Sequence, residues 1–178
     1  MLERRSALAN AKPFSSPKLT LEEARGFTLV QAAGFAKDFE AAIAPVAGAL
    51  PQANDTAVAS NGRVIFRTGP LQFWIVGPEQ DDLAARLAGK CVVTPLSHSR
   101  TRILIDGFVA RDVLAKGLPL DLHESAFKPG MFAMSGVHHT PVLLHCLETD
   151  AFHLYAMRTF AADIWGWLTA AAAEYAGR

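Results

Sequence analysis

Six histidines and a Ser-His-Ser tripeptide are the residues whose types could do chemistry in this chain. Zinc sites need three or four converging ligands, usually at close spacings such as His-x-x-x-His. No two histidines have that spacing. His138 and His139, taken as neighbours on a predicted strand, would point to opposite faces. We therefore predict no metal site and interpret all six as ordinary hydrogen-bonded or exposed residues: His98, His123, His138, His139, His145 and His153.

The tripeptide Ser97-His98-Ser99 resembles a nucleophile next to its base only in composition. A serine hydrolase places its serine on a sharp Gly-x-Ser-x-Gly turn, and the chain contains no such motif. Adjacent Ser and His side chains at a strand end also diverge, so they would not form a nucleophile–base hydrogen bond. The tripeptide is interpreted as a polar strand end.

Carboxylate pairs and phosphate-binding loops give no better candidate for a catalytic site. Glu22-Glu23 and Asp81-Asp82 are predicted at helix starts, where the helix dipole favours negative charge. Glu148 and Asp150 are predicted to flank a hairpin turn. Neither the dinucleotide-binding glycine fingerprint nor a Walker loop is present. We therefore predict no catalytic, cofactor-binding or metal-binding residue in this chain.

Composition narrows the class of protein. The 178 residues are 51% apolar, and 17 Lys and Arg balance 17 Asp and Glu. A nucleic-acid-binding domain usually carries a basic excess, so nucleic acid is not an expected partner. No apolar run approaches the roughly 18 residues of a membrane span, and the basic N-terminus lacks the apolar segment of a secretory signal. We expect a cytoplasmic protein whose Cys91 and Cys146 are reduced.

Hydrophobic periodicity predicts short strands alternating with helices. Gly117 is predicted as a left-handed C-terminal helix cap, and one face of the last helix is predicted to carry Phe160, Ile164, Trp167, Leu168, Ala171 and Tyr175. Few links are strand-helix-strand crossovers, so the fold class is α+β with mixed or antiparallel sheets. Strands are predicted at residues 27–33, 63–67, 71–76, 91–96, 101–105, 131–137, 141–147 and 152–157, and helices at 35–50, 79–87, 108–116 and 159–175.

The domain organisation is predicted as an arm followed by one domain. Residues 1–20 contain Pro13 and Pro17 together with apolar Leu8 and Phe14. They are either a frayed terminus or a segment that wraps a partner. Residues 21–178 form a single α+β domain of two pseudo-repeated lobes, at roughly 21–95 and 96–178.

Two segments resemble a known family. The first reads Ala-Arg-Asp-Val-Leu-Ala-Lys-Gly from Ala110 to Gly117 and continues as Pro-Leu-Asp-Leu-His from Pro119 to His123. The second runs from Phe152 to Leu168. Together they are similar to the gamma subunit of heterotetrameric sarcosine oxidase. Leu118 and Pro95 depart from the Cys and Asp expected at those places, which leaves the substrate of the complex open.

The resemblance implies a fold and a set of partners. The fold would be that of the folate-binding domain of glycine cleavage T-protein, with duplicated β-α-β units. The partners would be an alpha subunit with NAD and a folate-type domain, a beta subunit with FAD, FMN between these two, and a delta subunit with zinc. Such a complex oxidatively demethylates sarcosine to glycine and passes the one-carbon unit to tetrahydrofolate. The gamma subunit is not assigned the chemistry, so this chain is expected to be a cofactor-free accessory subunit.

Three alternatives remain. The chain could be a free-standing folate-binding protein, in which Arg100, Arg102, Arg111 and Arg158 would hold the glutamyl tail, although no particular acid stands out for the pterin. It could also be the gamma subunit of a related enzyme, such as N-methylglutamate dehydrogenase. An iron-sulfur assembly factor would resemble Lys-Gly-Cys-Tyr, but Lys116 to Pro119 lacks both Cys and Tyr. The accessory role predicts an exposed apolar surface that includes Trp165 and the arm.

Overall fold

The computed structural model describes residues 5–35 and 38–176. Contacts divide the chain into two compact units. Unit I contains Gly26–His98 and Gly130–Ala133, and unit II contains the residues up to Arg25, Ser99–Pro129 and the residues from Met134 onward. Each unit is built from one antiparallel sheet and two helices, so the predicted α+β class is confirmed.

The structure contains eleven strands and four α-helices within the described residues. Two turns of 3-10 helix, Arg158–Phe160 and Ala173–Tyr175, flank the last α-helix. The strands and α-helices are β1 (Phe14–Ser15), β2 (Thr20–Glu23), β3 (Phe27–Ala33), α1 (Phe39–Ala47), β4 (Val58–Ser60), β5 (Arg63–Gly69), β6 (Gln72–Pro78), α2 (Leu83–Leu87), β7 (Val92–Pro95), β8 (Arg100–Asp106), α3 (Ala110–Ala115), β9 (Phe132–Val137), β10 (Thr140–Glu148), β11 (Ala151–Met157) and α4 (Ala161–Ala172).

Unit I is a five-stranded sheet in the order β4-β5-β6-β3-β7. Asn61 and Gly62, both with positive φ, form the two-residue turn between β4 and β5, as expected for an Asn-Gly hairpin. Side chains on alternate positions of β3, β5 and β6 join those of α1 and α2 in one apolar cluster. Its buried members are Val30, Ala32, Phe39, Ile43, Ala47, Ile65, Phe73, Ile75, Leu83 and Leu87.

A buried ion pair ties the helices of unit I to its sheet. Arg63 Nε lies 2.5 Å from Asp81 Oδ2 and Arg63 Nη2 lies 2.7 Å from Asp81 Oδ1. Arg63 Nη1 also donates to the Val46 carbonyl near the end of α1, and Asp81 Oδ1 accepts the Leu83 amide at the start of α2. The hydrogen bonds from Arg63 lower the pKa of Asp81. Asp81 therefore has a structural role. It also lies close to a helix start, as predicted, because α2 begins at Leu83.

Unit II is a six-stranded sheet in the order β1-β2-β8-β11-β10-β9. One face of β8 and β11 carries fully buried apolar side chains, which alternate with the polar residues of the other face. These apolar residues are Ile103, Ile105, Phe152, Leu154 and Ala156. Val113 and Leu114 of α3 and Leu168 of α4 are also fully buried.

The same strand order recurs in the two units. In unit I, β3 is followed by α1, and the β5–β6 hairpin is followed by α2 and β7. In unit II, β8 is followed by α3, and the β10–β11 hairpin is followed by α4. On the side of β3 away from β6 lies β7, and on the side of β8 away from β11 the equivalent place is taken by β2 from the N-terminal segment. The duplication implied by the resemblance is therefore present in the topology.

The N-terminal segment belongs to unit II. Leu8 and Leu19 are buried, and Leu21 of β2 is fully buried opposite Ile105. Gly107, at φ +141°, allows close contact, because a Cβ there would lie 2.2 Å from the Lys18 carbonyl oxygen. The division into residues 1–20, 21–95 and 96–178 stays a prediction about domains. It differs from the observed units in separating residues up to 20 from the C-terminal lobe.

The prediction that Glu22 and Glu23 start a helix is wrong, because both lie on β2. The four residues of β2 are too few to show a helical or a strand periodicity. Their conformation is decided by backbone pairing with β8. The twelve predicted elements are all present, and apart from β3 their ends are shifted. The largest shifts shorten the first helix, predicted over 35–50, to Phe39–Ala47, and the second to Leu83–Leu87; residues 36 and 37 lie outside the described part.

Candidate functional site

Arg111, in the first turn of α3, is the centre of the motif that carries the family resemblance. Its Nε donates to the Thr149 carbonyl at 2.8 Å, and Nη1 donates to the carbonyls of Leu122 and Phe127 at 2.5 and 3.0 Å. Its guanidinium carbon lies 5.1 Å from the centroid of the Phe152 ring. The side chain therefore holds three backbone segments together.

The loop that follows α3 is fixed by these hydrogen bonds and by buried apolar side chains. Leu118, Leu122 and Phe127 are buried, and Phe127 stacks on Phe152 with ring centroids 6.4 Å apart. This loop has no regular secondary structure. It is held by buried side chains within and beside the Pro-Leu-Asp-Leu-His string, namely Leu118, Leu122 and Phe127. The motif therefore positions this loop.

Lys116 and Gly117 join the ends of α3 and α4. Lys116 Nζ donates to the Ala171 carbonyl and pairs with Glu174. The predicted left-handed cap at Gly117 is wrong, since Gly117 is not among the positive-φ residues. Its requirement for glycine is steric: a Cβ at Gly117 would lie 2.3 Å from Cζ2 of Trp167. The indole, and not the backbone conformation, requires glycine here.

The four arginines considered for a glutamyl tail all donate to backbone carbonyls. Arg102 donates to the carbonyls of Ala24 and Arg25. Arg158 Nη2 donates to the Arg5 carbonyl, and Arg100 Nη1 donates to the Ser99 carbonyl. With Arg111 engaged as described above, these side chains fix the N-terminal segment, strand ends and loops of unit II. This arrangement gives the folate-binding alternative no support.

His145 and His153 face each other across β10 and β11. Burial lowers the pKa of His145 to about 4. Burial, together with repulsion from Arg102 and His145, lowers the pKa of His153 to about 3. Both imidazoles are therefore neutral near pH 7. No sequence pattern indicates this cross-strand pair, because its register depends on the hairpin turn.

The other histidines do not converge with this pair on a metal. His138 and His139 form the turn between β9 and β10, so placing them on a strand was wrong, and His138 has a positive φ of 52°. His123 Nδ1 lies 2.8 Å from Ser125 Oγ in the loop after α3. Within residues 5–35 and 38–176, no group of three or more His, Cys, Asp or Glu could hold a metal ion.

Ser97 completes the pairing of β3 with the chain beyond β7. Its Oγ accepts the Leu29 amide at 2.9 Å and lies 3.3 Å from the Leu29 carbonyl oxygen. Ser97, His98 and Ser99 form the turn between β7 and β8, so the tripeptide lies just beyond the strand end at which it was predicted. The predicted hairpin turn between Glu148 and Asp150 is confirmed, since β10 ends at Glu148 and β11 begins at Ala151.

The cysteines are free thiols in the structure. Burial raises the pKa of both Cys91 and Cys146. Cys146 Sγ lies 3.1 Å from the Glu148 carbonyl oxygen and 3.8 Å from Nη2 of Arg111. A raised pKa favours the protonated, weakly nucleophilic form of a thiol.

Trp165 is buried, which overturns the prediction that it lies on an exposed apolar surface. The buried stripe of α4 is rotated from the predicted one. Its members are Ala161, Ile164, Trp165, Leu168 and Ala172. The difference arises because the N-terminal segment lies on that side of the helix: Leu8, Ala11 and Pro13 line a cavity together with Trp165.

Other large apolar side chains are exposed instead. In unit II these are Phe108, Met134 and Phe160, and in unit I they are Phe35 and Val92. Phe108 precedes α3 and Phe160 precedes α4, which follow opposite ends of the antiparallel β8–β11 pair. In the described part of the chain, no helix has the length and apolar character to cross a membrane.

A model of the sarcosine oxidase, gamma subunit family matches residues 37–174. The chain belongs to this family. Two curated relatives are each 30% identical over 143 residues, which cover 76% of this chain and 70% of the relative. They are the sarcosine oxidase gamma subunits of Corynebacterium sp. (strain P-1) and Arthrobacter sp.. The resemblance read from the Ala110–His123 and Phe152–Leu168 segments is thereby confirmed.

Solved structures agree with this membership. A chain of the heterotetrameric sarcosine oxidase from Corynebacterium sp. U-96, in complex with pyrrole 2-carboxylate, matches with a TM-score of 0.89 and 25% identity. The match covers 98% of this chain and 97% of that one. The glycine cleavage system aminomethyltransferase T from Bartonella henselae shares the fold, with a TM-score of 0.62 at 16% identity. It covers 85% of this chain and 45% of that chain, so the predicted T-protein-like fold is confirmed.

Proposed function

We propose that this chain is a non-catalytic accessory and assembly subunit of a heterotetrameric sarcosine oxidase-type complex. The observation that carries the proposal is the structural match, which extends over 98% of this chain to one chain of a heterotetrameric sarcosine oxidase. A match of this extent includes both units and the N-terminal segment. Burial of Leu8, Leu19 and Leu21 within unit II supports assembly through a surface that this chain forms by itself.

The side chains of the family motif support a structural role. Arg111 and Lys116 hold backbone carbonyls, and Gly117 accommodates an indole. Groups engaged in this way are poorly placed to bind a substrate or to transfer protons, because their donors already have partners. We infer that the chain contributes no catalytic, cofactor-binding or metal-binding residue to the complex.

The partners we propose are the alpha, beta and delta subunits of the complex. NAD and tetrahydrofolate would bind alpha, FAD would bind beta, FMN would lie between them, and zinc would bind delta. The complex would demethylate sarcosine to glycine in the cytoplasm, without nucleic acid or membrane. A gamma subunit of an N-methylglutamate dehydrogenase-type complex is the second candidate, since Leu118 and Pro95 leave the amine open.

Affinity purification of the full chain from its native cell tests the proposal. We expect large, yellow co-purifying subunits, identified by mass spectrometry and by flavin absorbance, with amine-dependent oxidase or dehydrogenase activity. Comparison of sarcosine with N-methylglutamate as substrate then distinguishes the two candidates. A colourless chain recovered alone would contradict the accessory role, and saturable tetrahydrofolate binding by that lone chain would support the folate-binding alternative.

A further inference from the structure

β9 lies at an open edge of the sheet of unit II. The two sheets end in four edge strands, β1, β4, β7 and β9. Three of them are short: β1 has two residues, β4 has three and β7 has four, the last of which is Pro95. Short edge strands and edge prolines limit pairing with other chains. β9 has six residues, Phe-Ala-Met-Ser-Gly-Val, with neither a proline nor a charge. Within the described residues, it is therefore the edge strand least protected against pairing.

The outer edge of β9 is partly occupied by a short segment that precedes β4. Phe132 N donates to the Asp55 carbonyl at 2.7 Å on this side. The direction of the backbone groups alternates from residue to residue along an antiparallel strand. The N–H and C=O groups of Met134 and Gly136 therefore point to the same outer side, whereas those of Ser135 point toward β10. In the part of the chain that the structure describes, no strand pairs with β9 on that side.

The side chains at this edge leave room for another backbone. Met134 is 52% exposed. A Cβ at Gly136 would lie 3.6 Å from its nearest atom, the Thr140 carbonyl oxygen, which is an ordinary van der Waals distance. Gly136 is also not among the residues with positive φ, so neither packing nor conformation within the chain requires glycine here. A glycine inside a strand often marks a place where another backbone approaches closely.

We propose that this edge pairs with an extended, uncharged segment of a partner subunit, which adds a strand next to β9. Strand addition supplies affinity through backbone hydrogen bonds, and Met134 and Gly136 each offer an outward-facing donor and acceptor. The exposed Met134 side chain adds an adaptable apolar contact for a side chain of the added strand. The inference rests on the proposed accessory role, since it names where a partner subunit binds.

A second copy of this chain fits the edge less well than a partner subunit does. Antiparallel pairing of β9 with its copy through both outward-facing residues would be centred on Ser135. His139, in the β9–β10 turn of the copy, would then lie opposite Met131. Met131 already forms an antiparallel bridge with Thr56 on that side. A separate extended segment that stops short of Met131 does not meet this obstacle.

Amide hydrogen exchange of the unmodified chain tests the inference directly. The chain is measured alone and in the complex that co-purifies with it from its native cell. We expect the amides of Met134 and Gly136 to exchange at least about tenfold more slowly in the complex, because hydrogen-bonded amides exchange only after local opening. The Ser135 amide, which faces β10, is the internal control and should be protected in both samples.

Met134→Lys tests the same edge by placing a charge beside the added strand. Lysine is a residue by which natural edge strands prevent pairing. We expect this variant to recover about one tenth of the partner subunits that the unmodified chain recovers, whereas its urea unfolding midpoint should be unchanged. Val92→Lys is the matched control, because Val92 is 51% exposed on β7, the edge strand that ends in Pro95. It should recover partner subunits as the unmodified chain does.

Three results would overturn the inference. The first is equal exchange of the Met134 and Gly136 amides in the two samples, and the second is undiminished recovery of partner subunits by Met134→Lys. The third is protection of these amides in the concentrated chain alone, which would identify a second copy as the occupant. Recovery of the unmodified chain without any partner would contradict the accessory role itself and the edge inference with it, so the two failures are distinguishable.

Discussion

Gly117 lies directly beneath the indole of Trp167, so that a Cβ at this position would meet Cζ2 at 2.3 Å. The contact joins the end of α3 to the middle of α4 within unit II. Trp167 also packs edge-on against His138, with ring centroids 6.1 Å apart. One residue pair therefore locks both helices and the β9–β10 turn together.

Gly117→Ala should destabilise the chain by about 1–3 kcal/mol, because the added methyl group overpacks this contact. Thermal and urea unfolding followed by circular dichroism measure the change. Gly166→Ala is the matched control: Gly166 lies in α4 and a Cβ there meets nothing within 4 Å. It should stabilise by about 0.5–1 kcal/mol, since alanine has the higher helix propensity. Equal effects at the two glycines would contradict the steric account.

Arg111→Gln should destabilise unit II by about 2–4 kcal/mol, because carbonyls of Leu122, Phe127 and Thr149 lose charged donors. The loop after α3 should also become more accessible. Limited proteolysis and amide exchange over residues 118–130 report that local effect alongside the unfolding free energy. Arg86→Gln, at an exposed ion pair, should change the free energy by less than about 0.5 kcal/mol. Unaltered exchange in the loop of Arg111→Gln would show that the three hydrogen bonds do not hold it.

Trp165→Ala should lower the stability of the chain by about 3–5 kcal/mol, as expected for truncation of a buried aromatic side chain. If Trp165 lay on the exposed apolar surface that the accessory role predicts, the substitution would instead leave the fold stable and weaken assembly. Chemical denaturation of the unpartnered chain separates the two. Phe108→Ala, at a side chain 63% exposed, is the control and should leave stability nearly unchanged. Comparable stability of Trp165→Ala and the unmodified chain would restore the surface interpretation.

Stability should fall as the pH drops below about 6.5 because of His145 and His153. Their folded-state pKa values, about 4 and about 3, lie below the ordinary value of 6.5. The unfolded chain therefore binds more protons in this range, so the stability that these groups contribute is complete above pH 6.5 and is lost as pH falls toward 4. Two such groups allow a slope of up to about 2.7 kcal/mol per pH unit.

Urea unfolding between pH 4.5 and 8 measures this slope. His153→Gln should reduce it by about half, since one of the two titrating groups is removed. A profile that is flat from pH 8 to 4.5 in the unmodified chain would show that neither imidazole is held neutral by the fold.

Local pattern was sufficient for much of the architecture. Alternating apolar residues placed β3 at Phe27–Ala33 without error, because a half-buried strand imposes a period of two on its own residues. The strands predicted at 63–67 and 71–76 are present as β5 and β6, whereas β4, which the Asn61-Gly62 turn joins to β5, was not predicted. The absence of catalytic motifs and the Ala110–His123 string were sufficient to indicate the family.

Tertiary structure alone decided the features that depend on distant segments. The strand at Thr20–Glu23 exists because β8 offers it an edge 80 residues away in sequence, and the burial of Trp165 depends on the N-terminal segment beside it. The same holds for Gly117, whose constraint comes from Trp167 and not from its own φ. Such contacts produce no periodic pattern in the sequence, because each of them depends on a single residue of suitable size. The sequence by itself determined the element types and the family, whereas the packing of those elements determined which side chains remain available for binding.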